Sequence, residues 1–220
     1  NPAQWRNHLD HLLPKRGRLT RGHHAAMAYA EVPGFIAQLR ESGSLSAMAL
    51  EFAILTAARS GEVLGARWGE IDFTSKVWTV SAARMKAGRE HRVPLSDRAL
   101  GILEEVAKLR PDDAPVRFVF PGRKPGQGLS GMALEMVLRR MEIDVTPHGF
   151  RSSFRDWAGE ETSFPREVAE AALAHTLRDK AEAAYRRGDA LEKRRAMMAA
   201  WAKFIEPRTS NNVVSLRAGG

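Results

Sequence analysis

The sequence predicts a mainly α-helical fold that carries one small three-stranded antiparallel sheet. Apolar residues recur at helical spacing over most of the chain. The period changes to two between residues 70 and 95, where Glu70–Phe73, Lys76–Ser81 and His91–Leu95 read as strands. Only short turns join those strands, Thr74-Ser75 and then Met85–Glu90 with Gly88, so neighbours must run antiparallel.

Taken in order, residues 1–24 are basic, broken by Pro14 and Gly17, and read as a linker. Val32-Pro33 opens a helix, with proline in its first turn, that buries Phe35, Ile36 and Leu39 and stops at Gly43. Ser44–Ala58 is apolar on nearly all sides and predicts a buried central helix. Ser60-Gly61-Glu62 begins a short helix containing Val63, Leu64 and Trp68. Beyond the strands, Ser96–Arg110 is helical, with Leu100, Leu103, Val106 and Leu109 on one face. Pro111–Gly128 is loop, interrupted by Val116–Phe120. Ser130 caps a helix that runs through Met141. Thr146-Pro147-His148-Gly149 starts another, and Phe164-Pro165-Arg166-Glu167 a third that ends near Ala174-His175. Asp179–Tyr185 and Leu191–Phe204 follow as helices, and 207–220 is a polar, mobile tail in which Val213-Val214 can add a strand.

Composition narrows the function classes. At 220 residues with 44% hydrophobic side chains, the chain can bury a full core. The net charge of +8 and pI near 10.3 point to a polyanionic partner, most commonly nucleic acid. The absence of cysteine excludes disulfides, thiolate metal sites and a cysteine nucleophile, and fits a reducing cytosol. No apolar run has the roughly 20 residues that span a bilayer. The chain opens Asn1-Pro2 with no signal-peptide pattern, as a fragment of a longer protein would.

Five segments bring candidate chemistry: Arg59 with Glu62, Lys86, His148 with Arg151, His175, and Tyr185. Singly, each has a plain structural reading. Arg59 at the end of a buried helix can complement the helix dipole. Lys86 in a hairpin turn can simply face water. His148 and Arg151 lie one helical turn apart on one face, a spacing common by chance. His175 can be a satisfied core histidine, and Tyr185 half-buried packing. Together they offer what attack on a phosphodiester needs: arginines to neutralise phosphate, histidines to handle protons, and a tyrosine to attack. The other tyrosine, Tyr29 in Ala28-Tyr29-Ala30-Glu31, has no such surroundings in sequence and reads as packing.

The order of these segments adds to the reading. Thr56-Ala57-Ala58-Arg59-Ser60-Gly61-Glu62-Val63-Leu64 comes first, then the sheet with its hairpin lysine. Thr146-Pro147-His148-Gly149-Phe150-Arg151, Leu173-Ala174-His175 and Tyr185 follow. Over residues 25–206 this resembles the catalytic domain of the tyrosine recombinases, the phage integrase family. Lys86-Ala87-Gly88-Arg89-Glu90-His91-Arg92-Val93-Pro94-Leu95 and Ala184-Tyr185-Arg186-Arg187-Gly188-Asp189 are similar to integrases of prophages and genomic islands.

The resemblance implies a catalytic-domain fold of that family over 25–206, a remnant of the interdomain linker over 1–24, and a tail over 207–220. The family's separate core-binding domain has no counterpart in these residues. It implies that Tyr185 attacks the scissile phosphate to leave a 3′-phosphotyrosine and a free 5′-hydroxyl. Arg59 and Arg151 would clamp the non-bridging oxygens and Lys86 would protonate the leaving 5′-oxygen. His148 would accept the tyrosine proton, His175 would hydrogen-bond the phosphate, and Glu62 would support the site. No metal or other cofactor is required, because the arginines supply the positive charge. The implied partners are duplex DNA attachment sites and further copies of the chain in a tetramer on DNA; a host DNA-bending protein and an excisionase are accessory candidates. The setting is cytoplasmic and nucleoid-associated, with no membrane. Two other functions remain open from sequence: type IB topoisomerase-like relaxation of DNA, and a non-catalytic DNA-binding regulatory domain.

Overall fold

The computed structural model describes residues 25–109, 114–175 and 190–207. Its helices are α1 (Val32–Glu41), α2 (Leu45–Thr56), α3 (Ser60–Leu64), α4 (Asp97–Ala107), α5 (Ala133–Arg140), α6 (Gly149–Glu160), α7 (Arg166–Ala172) and α8 (Leu191–Ile205). The strands β1 (Ile71–Asp72), β2 (Val77–Val80) and β3 (His91–Pro94) form one antiparallel sheet in that order, with Ile71 opposite Trp78 and Val80 opposite His91. The chain is therefore mostly helical with a small three-stranded sheet, as its periodicity predicts.

Helix α2 is the centre. Ser44 caps it by accepting from the Ala47 N–H at 3.2 Å. Residues all round it are buried, from Leu50 and Phe52 to Ile54 and Leu55. It packs against α1, α3, α4, α5, α6 and α8. A helix apolar on every side has no other stable place than inside such a ring. The buried Glu51 is the one charge on it, and Arg40 (2.8 Å) and Arg98 (2.7 Å) both pair with it. An aromatic cluster of Phe154, Trp157, Trp201 and Phe204 locks α8 to α6.

Four sequence expectations shift. Trp68 is not part of α3: the chain leaves that helix at Gly65, and Trp68 opens a separate 3₁₀ turn, donating its N–H to the Arg117 carbonyl at 3.1 Å. Ser130 does not cap α5, because the helix starts beyond Met132 with no side-chain cap, and Ser130 contributes only its carbonyl, to Ala133 N–H at 2.9 Å. Leu109 is 62% exposed, because α4 has ended at Ala107 and its apolar face stops with it. The strands are shorter at their ends than the alternation suggests. The linker 1–24, the helix over Asp179–Tyr185 and the Val213-Val214 strand lie outside the described residues. No helix among the described residues is long and apolar enough to cross a membrane.

Candidate active site

Arg59 stands in extended backbone at the mouth of α3. Glu62, 5% exposed, grips it twice: one carboxylate oxygen accepts from the Arg59 N–H at 3.0 Å, the other from its guanidinium at 2.8 Å. The helix-start carboxylate thus satisfies an orphan N–H and aims the arginine at once.

Arg151, in the first turn of α6, is 5% exposed. Its guanidinium donates to the Ala57 carbonyl, to the Leu173 carbonyl at 2.7 Å, and to His175 Nε2 at 3.3 Å. Ala57 lies just beyond α2 and Leu173 just beyond α7. Arg151 is therefore lodged between two helix C-termini, whose last carbonyls lack helical donors and carry the negative end of the dipole. Each end is turned by a left-handed alanine, Ala57 (φ 48°) and Ala174 (φ 49°). The Arg151 Nε is buried with no hydrogen-bond partner among the described residues. Burial pushes its pKa down to about 10, the Arg59 charge pushes the same way, and Glu62 opposes both. At neutral pH it stays charged.

His175 is exposed and follows Ala174 directly. Its Nε2 meets Arg151, and its Nδ1 lies 2.7 Å from Glu170 Oε2. Glu170 also accepts from Arg155 Nε at 2.6 Å. Burial pushes the Glu170 carboxyl up, but the bonds from His175 and Arg155 outweigh it and hold the group below its ordinary value.

His148 caps α6 and is exposed, and its carbonyl accepts from the Arg151 N–H at 3.1 Å. Gly149 follows because a β-carbon there would lie 2.1 Å from the Ala25 carbonyl oxygen, where the entering chain crosses the helix start. Lys86 is exposed on the turn between β2 and β3. That turn is anchored by buried Met85 and by the ion pair of Arg84 with Glu70. Arg59, Glu62, Arg151 and His175 thus come together, His148 shares the turn that carries Arg151, and Lys86 is carried on the loop that leads into β3. Tyr185 lies outside the described residues, between α7 and α8. Tyr29 is bound to carboxylates: its hydroxyl donates to Glu160 at 3.0 Å and to Glu161 at 3.1 Å, which raise its pKa to about 12.

Three residues of this neighbourhood were not singled out from sequence. His91 opens β3; burial and then Arg194 and Arg151 push its pKa down to about 4, against Glu62 and a hydrogen bond to the Ala172 backbone. Arg194, 1% exposed, donates to the Arg92 carbonyl at 2.5 Å and ties α8 to β3. Its signal was an arginine in line with Met197, Met198 and Trp201 on the inward face of an amphipathic helix. Glu170 gave no comparable signal.

Comparison with known proteins identifies the family. The phage integrase family model matches residues 26–190. The prophage integrase IntA of Escherichia coli (strain K12) is 42% identical over 164 residues, which is 73% of this chain and 39% of that protein. The prophage integrase IntZ of the same organism is 33% identical over 194 residues, 87% of this chain and 47% of that protein. The chain thus spans under half the length of these relatives. Among solved structures, the integrase of mycobacterium phage Brujita aligns with a TM-score of 0.59 at 16% identity, over 90% of this chain and 63% of that one. A lambda integrase dimer bound to a COC′ core site aligns at 0.55 and 17% identity, over 79% and 64%. These two likenesses concern the fold. With a family model covering most of its length, this chain belongs to the phage integrase family.

Proposed function

We propose that the chain is the catalytic domain of a site-specific DNA recombinase that cuts and rejoins strands through a 3′-phosphotyrosine, serving integration and excision of a mobile element. Residues 25–206 form that domain, 1–24 are the end of an interdomain linker, and 207–220 are a tail. The observation that carries the reading is the pairing of Arg59 and Arg151. Glu62 binds the Arg59 guanidinium at 2.8 Å, burial and then the Arg59 charge press on Arg151 with Glu62 partly offsetting them, and one buried N–H of Arg151 has no acceptor among the described residues. A phosphodiester oxygen set against both arginines would relieve the charge pressing on Arg151, and guanidinium forks suit its geometry.

In this reading the Tyr185 oxygen attacks phosphorus while the bond to the 5′-oxygen breaks. A free tyrosine has a pKa near ~10, so it needs a base, and His148 accepts its proton. Lys86 delivers a proton to the leaving 5′-oxygen. Arg59 and Arg151 stabilise the charge of the transition state, and His175 hydrogen-bonds a non-bridging oxygen. Rejoining reverses these steps with another 5′-hydroxyl as nucleophile, so the bond energy is conserved. Duplex attachment sites, a tetramer of the chain on DNA, a host DNA-bending protein and an excisionase are the partners this activity calls for.

The test is a nicked suicide substrate bearing an attachment site. The wild-type chain should form a denaturant-stable adduct with DNA, and Tyr185→Phe should form none. Tyr29→Phe should keep it, because the Tyr29 hydroxyl is engaged by Glu160 and Glu161. An adduct that survives Tyr185→Phe would remove the nucleophile assignment.

A further inference from the structure

We infer that Glu170 is a positioning residue for the strand-transfer chemistry, setting which nitrogen of His175 carries the proton. This rests on the reading of His175 as a phosphate ligand. Both neighbours of the imidazole demand the same tautomer. Arg151 has only protons to offer, so His175 Nε2, 3.3 Å from it, must present its lone pair. Glu170 Oε2, 2.7 Å from Nδ1, can only accept, so Nδ1 carries the hydrogen. The backbone fixes the pair as well, since the His175 N–H donates to the Glu170 carbonyl at 3.0 Å.

The carboxylate is itself held. Its Oε1 accepts from Arg155 Nε at 2.6 Å, so α6 and α7 both fix its plane. Arg166 lies further off, at 3.8 Å and mostly exposed. Among the described residues, the groups facing His175 are Arg151 from α6 and Glu170 from α7, with Arg155 behind the carboxylate. When a phosphate draws the Arg151 protons away, the Nε2 edge is freed toward that phosphate. A proton taken up at Nε2 is then balanced by the carboxylate at Nδ1, and His175 becomes a donor to the phosphate oxygen. A carboxylate behind a histidine fixes the tautomer and the orientation of the ring.

Glu170→Gln separates this role from a structural one. The amide has one acceptor where the carboxylate had two. Arg155 can use only an acceptor, so it keeps the oxygen, and the amide NH₂ turns to His175. That NH₂ needs a lone pair at Nδ1, so the neutral ring must move its proton to Nε2, against Arg151. The 220-residue chain is labelled with ¹⁵N-histidine and its imidazole tautomers are read by NMR at alkaline pH. The expected result is the Nδ1–H form in wild type and the Nε2–H form in Glu170→Gln. Adduct formation on the suicide substrate should slow about tenfold or more, with DNA affinity within about twofold. Identical tautomers, or an adduct rate within about twofold of wild type, overturns the inference and leaves the tyrosine chemistry standing. A wild-type chain that forms no adduct overturns the tyrosine reading and, with it, the catalytic role of Glu170, whatever the tautomers show.

Discussion

The low pKa of His91 makes the stability of this domain depend on pH in a way that can be isolated. An exposed histidine titrates at 6.5, whereas burial and the Arg194 charge bring His91 down to about 4. The folded state therefore prefers the neutral ring. The stability this gives is fully present above pH 6.5 and is lost as pH falls toward 4, where the folded state must also bind the proton. From pH ~7 to ~4.5 the linkage amounts to roughly 2 kcal/mol. Depressed carboxylates such as Glu170 and Glu206 act with the same sign, so the wild-type curve alone does not report on His91. The comparison with His91→Gln does, because the amide can still donate to the Ala172 backbone and does not titrate. Urea unfolding at closely spaced pH values should show the variant losing roughly 2 kcal/mol less than wild type over that interval. Parallel curves for the two proteins would refute the placement of His91 against Arg194 and Arg151.

Two further perturbations test the scaffold. Gly149→Ala drives a β-carbon to 2.1 Å from the Ala25 carbonyl oxygen, so the entering chain must shift; a loss of about 1–3 kcal/mol in chemical denaturation is expected. Glu51→Ala leaves Arg40 and Arg98 facing a buried gap, and because both arginines are partly exposed the expected loss is about 2–3 kcal/mol, read by thermal melting.

Periodicity made the fold legible because it states which faces are buried. α2 was readable from its uniform apolarity and the sheet from its change of period, and both stand where expected. Boundaries were less legible where a backbone contact decided them, as at Trp68, which pairs with Arg117 across the loop. The site divides in the same way. Arg59 and Glu62 form a local contact, three residues apart, that the sequence displays. The Arg151 contacts join residues 94 and 22 positions apart through backbone carbonyls, and no side-chain pattern encodes a carbonyl's direction. His91 escaped because its partners lie across the fold, and Glu170 because its ties to Arg155 and His175 form only once α6 and α7 are packed. Ala57 and Ala174 escaped for another reason, since alanine gives no hint of a left-handed conformation that glycine usually fills.

Those two alanines explain how the core and the site are joined. A left-handed alanine costs about 1–2 kcal/mol, and it persists where surrounding structure over-determines it. At Ala57 that surrounding structure is visible. The Ile54 carbonyl accepts from the Ala57 N–H at 3.2 Å and from Trp201 Nε1 at 2.9 Å. Trp201 is fully buried in the aromatic cluster, so α8 holds the last turn of α2 from one side while Arg151, donating to the Ala57 carbonyl, holds it from the other. The Arg194 bond to β3 then fixes the first turns of the same helix. Helix α8 begins directly after the segment that contains Tyr185. Its packing therefore serves two ends: it fastens one flank of that segment to the sheet, and it stiffens the backbone carbonyls that orient Arg151. Precision in a site comes from supporting groups on rigid elements, and for Arg151 the support is the hydrophobic core itself, acting through a helix end.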